Sequence, residues 1–417
     1  MDRKKFLKSS LGAVGAFTFI PRHVLGGTGF TAPSDQLTKA VIGVGGMGLG
    51  HLNYPGARLL AVCDVDQGHL DRALALTGPD VRGYANYREV LEQKDIDIVH
   101  IVTPPHWHGV MAVDAANAGK DIWCEKPMTR TIAEGEKVVE AVQRNGSIFR
   151  LNTWFRFRGN FYGMDTTVKP LKKLVENDVL GWPLKVTVNQ STGFDWKFVW
   201  SGRPNLKPEW VPKKLDYNMW LGPAPYKPYN AHRVHETFRG YWDYDGGGLG
   251  DMGQHYLDPV QYILGKDNES PVSIEVDAPQ QDPEAVGSWR RIELTYKDGC
   301  KIILDGDNTD TDAAYIEGPN GKLYRGFESD IPNIQKVAAA LPDPKPQVSD
   351  FSEAVKNRTK FGLNEENGHR SCTLINMALI AVRLGRNLQF DPDAQRFIGD
   401  EAANRLIDQS MRDPWNI

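Results

Sequence analysis

Three groups of residues in this 417-residue chain have the types and spacing to do chemistry. The first is Gly43-Val44-Gly45-Gly46-Met47-Gly48, a G-x-G-x-x-G pattern at the end of an apolar run. Glycines there permit a tight turn and let backbone N–H groups approach a pyrophosphate, and the helix that follows adds positive partial charge. Asp64 closes the next apolar run, 21 residues after Gly43, and Asp66 adds a second negative charge. A carboxylate at Asp64 accepts from a ribose 2′-OH and repels a 2′-phosphate, so the spacing predicts a dinucleotide site that prefers NAD to NADP. The second group is Glu125-Lys126-Pro127. An ammonium at Lys126 would stabilise an alkoxide developing in a dry site; the plainer reading is a solvated lysine at a strand end. The third is Asp251 and His255, four residues apart and on one face if the segment is helical. His255 could take a hydroxyl proton, with Asp251 orienting its ring or touching a substrate hydroxyl. The alternative is a capping Asp and a core His. Two such ligands without a third nearby predict no metal site.

These groups need elements to hold them. Strand-like runs at Lys39–Val44, Arg58–Asp64, Ile96–Thr103, Lys120–Glu125 and Ser147–Asn152 alternate with helical patterns at Gln67–Leu76, Tyr87–Gln93, Gly109–Ala118 and Thr131–Asn145. That alternation predicts an α/β fold, a doubly wound parallel Rossmann sheet. It fades after about residue 155, beyond which residues 191–250 read as a long Gly-, Pro- and Trp-rich insertion. Strand-like runs then cluster at Pro271–Val276, Arg291–Lys297, Cys300–Asp305 and Ala313–Glu317, with a helix at Cys372–Leu384. Clustered strands with flanking helices predict an α+β domain whose sheet is largely antiparallel. The expected division is 1–37 leader and linker, 38–155 nucleotide-binding domain, and 156–417 α+β domain.

Composition narrows the possibilities. Hydrophobic residues make up 41% and charged residues 24%, as in an ordinary globular chain. A net charge of −4 gives no basic footprint for nucleic acid. Four cysteines without a CxxC pair form no disulfide framework, and Cys63 and Cys124 sit in apolar runs as buried thiols would. The N-terminus reads Arg3-Lys4-Lys5-Phe6-Leu7-Lys8 and then a mild apolar run, Leu11 to Ile20, too short to span a bilayer. This layout resembles a twin-arginine export signal with Lys4 in place of the second Arg, and predicts a periplasmic protein; without export it would be cytoplasmic. Six of the 11 Trp fall between residues 182 and 242. Aromatic faces can stack on sugar C–H faces, which makes Arg239, Trp242 and Asp243, just ahead of the Gly-rich turn, the best substrate-pocket candidates.

Four segments together resemble one family. They are Thr103-Pro104-Pro105-His106-Trp107-His108, Glu125-Lys126-Pro127, Gly247-Gly248-x-Gly250-Asp251-Met252-Gly253-x-His255, and the tail Arg383-Leu384-Gly385-Arg386-x-Leu388-x-Phe390-Asp391-Pro392. Over residues 38 to 395 the chain is similar to the glucose–fructose oxidoreductase / inositol dehydrogenase (Gfo/Idh/MocA) family. The resemblance implies an open sheet in the second domain that often serves oligomerisation, hence a homo-oligomer, dimer or tetramer. It implies NAD-linked oxidation or reduction at a sugar, glycoside or polyol carbon, with Lys126, Asp251 and His255 as catalytic residues and a cis Lys126–Pro127 bond. It places Thr103, Pro104, His106, His108, Glu125 and Lys126 beside the cofactor, although His108 next to Trp107 could equally be packed. Arg156 joins Arg239, Trp242, Asp251 and His255 as a substrate contact. Trp154 departs from the polar residue common at its position. A glycoside hydrolase that uses NAD transiently, and a non-catalytic sugar sensor, are the alternative readings; the retained Asp-x-x-x-His motif argues against the first, and the intact set of Lys126, Asp251 and His255 against the second.

Overall fold

A computed structural model describes residues 36–157 and 159–417. The export segment read from residues 1 to 26 lies outside the described residues. Thr38–Ile417 forms one compact unit.

Its first sheet has six strands: β1 (Thr38–Ile42), β2 (Arg58–Cys63), β3 (Arg82–Tyr84), β4 (Ile98–Ile101), β5 (Asp121–Glu125) and β6 (Phe149–Asn152). The order is β3-β2-β1-β4-β5-β6 and every pairing is parallel. Helices α1 (Gly46–His51), α2 (Gln67–Ala75), α3 (Tyr87–Leu91), α4 (His108–Asn117) and α5 (Ile132–Asn145) connect them. Strands buried on both faces need near-continuous apolar sequence, and β4 and β5 are buried along their whole length. The strand order reverses between β1 and β4. That switch point opens a crevice at the carboxyl ends of both strands, where the glycine turn and the Thr103 loop emerge.

The second sheet has nine strands in the order β13-β12-β11-β7-β10-β9-β8-β14-β15. They are β7 (Lys185–Val188), β8 (Ser273–Asp277), β9 (Arg291–Thr295), β10 (Lys301–Asp305), β11 (Ile316–Gly318), β12 (Gly321–Tyr324), β13 (Glu328–Ser329), β14 (Leu388–Asp391) and β15 (Arg396–Phe397). Only β7 and β10 pair in parallel; the other pairings are antiparallel, so the sheet is mixed but mostly antiparallel. The helices of this half are α6 (Val168–Glu176), α7 (Tyr217–Leu221), α8 (Gly247–Leu264), α9 (Ile334–Ala340), α10 (Phe351–Asn357), α11 (Glu365–Leu384) and α12 (Glu401–Asn404). Leu257, Val260 and Ile263 of α8 and Leu374 and Ala378 of α11 share one core with Ile292, Leu294, Ile302 and Leu304 of the sheet. Along the same strands, Glu293 pairs with Lys301 at 2.6 Å and Lys185 with Glu317 at 2.5 Å.

Two of the helices that bear on the site differ from the sequence expectation. Helix α8 begins at Gly247, inside the stretch read as loop to residue 250. Its early glycines pack where side chains would collide: a Cβ at Gly248 would lie 1.7 Å from Trp196 O. Helix α11 starts at Glu365 rather than Cys372, because the Asn364 side chain accepts from Glu366 N and Asn367 N. All four cysteines are free and buried. Among the described residues no helix is long and apolar enough to cross a membrane.

Candidate active site

The site is one cleft of about 540 Å³ at the switch point. At its first end lies the glycine turn. Gly43 has φ +87°, and a Cβ there would sit 2.7 Å from Val102 O, so the chain passes too close to the β4 loop for a side chain. Gly48 lets α1 close on β1; a Cβ there would fall 1.9 Å from Gly43 O. Gly43, Gly45, Gly46 and Met47 line the cleft, and Gly48 packs behind them. Asp64, at the end of β2, also lines it. Its Oδ2 accepts from Val44 N at 2.9 Å and its Oδ1 from Asp66 N at 2.9 Å, so the carboxylate is fixed to the turn it serves. Thr103 and Pro104 form the facing wall. This cradle fits a dinucleotide: the backbone is bare where a pyrophosphate would lie, and a carboxylate stands at the ribose end.

At the other end two halves of the chain meet. Lys126 follows β5, and its Nζ donates to Asp251 Oδ1 at 2.9 Å and to Asp251 O at 2.6 Å. Arg239 Nε donates to the same Oδ1 at 2.8 Å. Burial opposes ionisation of Asp251, but Lys126 and Arg239 outweigh it and hold the carboxyl well below its usual range. The Lys126–Pro127 peptide is cis. Glu125 lines the cleft, yet its Oε1 is occupied by His51 Nε2 at 2.9 Å and Asn152 Nδ2 at 2.6 Å.

Several residues expected in the cleft lie elsewhere. His255 occupies the helical turn after Asp251 but does not line the cleft; it is 0% exposed, and neither ring nitrogen has a partner. Trp154 stacks over it with centroids 3.8 Å apart. Burial drives the imidazole well below its usual range, so it is neutral here. Arg156 does not line the cleft. It is buried against Asp258, with Nη2 to Oδ1 at 2.6 Å, and against Asp267, with Nη1 to Oδ2 at 2.8 Å. Trp242 is also not at the cleft; its Nε1 donates to Asp282 O, and with Asp243 it lines a separate cavity of about 240 Å³. His106 turns inward, bonding Trp220 O at 2.9 Å, and burial lowers its pKa to about 3. The two nitrogens of His108 face Pro127 O at 2.7 Å and Thr103 O at 2.8 Å, so it ties two loops together behind the cofactor cradle.

The sequence reading missed other lining residues. Trp107, Trp200 and Trp220, not Trp242, are the cleft's tryptophans, and Asp245 joins the Lys126 end. At the Asp64 end, Asp66, His69 and His235 bring ligand atoms within 4.8 Å of one another. His235 is too distant in sequence for spacing to have shown this. The insertion that carries it reaches the turn after β2 ahead of α7: Gln67 N donates to Lys214 O at 2.9 Å, and Asp216 N to Val65 O at 3.0 Å.

Comparison with known proteins agrees with this geometry. Residues 37–153 match the family model for the oxidoreductase family, NAD-binding Rossmann fold, and residues 164–417 match its C-terminal alpha/beta domain. The chain belongs to the Gfo/Idh/MocA oxidoreductase family. Residues 37–153 are that family's NAD-binding domain. An inositol 2-dehydrogenase of Salmonella typhimurium is 29% identical over 200 residues, 46% of this chain and 56% of that protein. The match thus spans little more than half of that curated relative's length. A glycosyl hydrolase family 109 protein of Shewanella is 35% identical over 133 residues, 28% of each chain. Two solved structures share the fold. The WlbA dehydrogenase of Bordetella pertussis, in complex with NADH and UDP-GlcNAcA, has a TM-score of 0.59 at 17% identity, covering 85% of this chain and 98% of that one. A myo-inositol 2-dehydrogenase of Lactobacillus plantarum has a TM-score of 0.55 at 17% identity, covering 85% of this chain and 100% of that one.

Proposed function

We propose that this family member is an NAD-dependent dehydrogenase acting on a hydroxyl carbon of a sugar, glycoside or polyol. Ring oxidation of a glycoside at the 3-hydroxyl is the version to test first. The observation that carries the reading is a single cleft joining the Asp64 glycine turn to the Lys126–Asp251–Arg239 cluster.

When bound, NAD supplies the acceptor for the carbinol hydride. The chain's own residues do the rest. Asp251 holds Lys126 and Arg239 as a preorganised cationic pair that would bind the substrate oxygen and stabilise charge developing on it. Trp200 lies beneath the Arg239 guanidinium, 5.0 Å from ring centroid to Cζ, and offers an apolar face to a sugar ring. Asp64 favours NAD over NADP by accepting from the ribose hydroxyl.

The test is incubation of the purified protein with NAD or NADP and a panel of methyl glycosides, free sugars and inositols, following NADH absorbance and product mass together. NADH with a keto product supports the reading. The likeness to the Shewanella protein favours a hydrolase as second reading; free sugar without net NADH would establish it. Sugar binding with neither product would point to a sensor.

Two further parts of the proposal are export and assembly. Replacing Arg3 and Lys4 with Gln should retain the protein in the cytoplasm, and unchanged fractionation would count against a periplasmic location. Assembly as a dimer or tetramer would use the outer face of the nine-stranded sheet, where Glu293 pairs with Arg291 and Lys301, and Glu317 with Lys185 and Lys322. Light scattering that returns a monomer mass would refute it.

A further inference from the structure

We infer that Asp245 is the group that takes the hydroxyl proton in this cleft. The inference rests on the dehydrogenase reading and names the base that reading needs. Asp245 lies two residues before α8, is 2% exposed and lines the same cleft as Lys126, Arg239 and Asp251. Its position is fixed by its backbone: its N–H donates to Tyr241 O at 3.0 Å, and its carbonyl accepts Arg130 Nη1 at 2.9 Å. Among the described residues its carboxyl accepts one hydrogen bond, from Gly246 N at 2.7 Å. That leaves acceptor capacity on a group already at the cleft wall.

Four other candidate bases are occupied or sealed. Glu125 is held by His51 and Asn152. His255 is covered by Trp154, and His106 is turned away toward Trp220. Lys126 is already donating to Asp251. The charged groups facing Asp245 are Asp251, Arg239 and Lys126, with Arg130 at its carbonyl. Burial and the Asp251 charge raise its pKa to about 7, against the opposing pull of Arg239 and Lys126. Two carboxyls in one site are thereby separated: Asp251 stays charged to hold the cations, and Asp245 gains or loses a proton near neutrality. As the carbinol C–H bond gives up its hydride, the O–H bond breaks and its proton bonds to an Asp245 oxygen. The electron pair left behind closes the C=O bond beside Lys126. In the reverse direction Asp245 returns the proton.

The experiment uses the full chain with NAD and, as probes, myo-inositol and methyl glucosides and galactosides. Two measurements are made on the parent, Asp245→Asn and His255→Asn. The first is isotope-edited infrared spectroscopy of the aspartate carboxyls across pH 5 to 9. The second is NADH formation over the same range, with NAD affinity measured separately. A protonated-carboxyl band titrating near neutrality and missing from Asp245→Asn is expected. That variant should turn over a reactive probe about 10²-fold or more slowly, with the parent's neutral-pH limb lost and NAD affinity kept. Gly250→Ala checks the geometry independently, because its added carbon would lie 2.2 Å from Asp245 Oδ1 and displace it; turnover should fall there too. If Asp245→Asn keeps the parent's pH profile, or the band is absent from the parent, the assignment is overturned, and a lost profile in His255→Asn would move the base there. If no probe is oxidised by any protein, the dehydrogenase reading itself falls for these substrates and the role falls with it.

Discussion

Asp245 and Asp251 share one wall of the cleft, and their surroundings push them apart. Asp251 gains two cations at 2.8 and 2.9 Å, whereas Asp245 gains one backbone N–H. The difference has a consequence for stability. In the unfolded chain Asp245 would ionise near the ordinary value of about 3.9, and in the fold near 7. Between these values the folded state holds the extra proton, so stability falls as pH rises through that window and levels off above it. Subtracting Asp245→Asn removes the other titrations. Urea unfolding at pH 5 and pH 8 should show the variant gaining on the parent at pH 8; an equal difference at both values would mean that Asp245 is not buried as described. Asp64 poses a separate residue-scale question, because its oxygens serve Val44 N and Asp66 N as well as the ribose site. Losing a charged hydrogen bond costs about 1.5–3 kcal/mol. Asp64→Ser should therefore reduce the NAD-over-NADP preference about tenfold or more, measured as the ratio of the two dissociation constants. A ratio close to one in the parent would show that Asp64 does not discriminate.

At the scale of elements, helix α8 explains what could and could not be read in advance. Its i, i+4 spacing was visible as Asp251 and His255, and the structure does place them one turn apart on a helix. Spacing alone does not tell which of the two faces a cleft. The two share a face, so what separates them is depth along the helix and cover: Asp251, in the first turns, lines the cleft, while Trp154 lies over His255 one turn further on. The strands of the first sheet were legible because burial on both faces leaves an apolar run in the sequence. The short β3, with no fully buried residue, left no such run. Asp245 carried no periodic signal, since it sits in a turn whose geometry is set by long-range packing. Local spacing does not show that Arg156 is committed to Asp258 and Asp267, because both partners are more than 100 residues away. That triad ties the loop after β6 to α8. Arg156→Ala would leave Asp258 as a buried, uncompensated charge, at a cost of about 3–5 kcal/mol. Urea denaturation should report a loss of that size; a change under 1 kcal/mol would mean the carboxylates are neutralised another way.

The whole molecule makes the active site a property of both sheets at once. Lys126 comes from the first half and Asp251 from the second, so the cluster exists only while the halves are docked. Helix α11 packs on α5 and β6 on one side and on α8 and β8 on the other. Gln254, fully buried on α8, accepts from Met128 N at 2.9 Å and donates to Gly368 O and Ser371 Oγ, each at 2.8 Å, joining the loop after β5 to α11. A shared core of this kind predicts that the two sheets open together in global unfolding. Binding of NAD to the folded state alone should then stabilise both equally, by about 2.7 kcal/mol at a hundredfold excess over the dissociation constant. The measurement is amide hydrogen exchange with and without NAD, comparing the slowest amides of β4, beside the cofactor cradle, with those of β10, in the far sheet. If both exchange by global unfolding, both should slow by the same factor, about 10²-fold under that condition. Slowing confined to β4 would show that the nine-stranded sheet unfolds on its own, and Lys126 and Asp251 would then separate without loss of the Rossmann half.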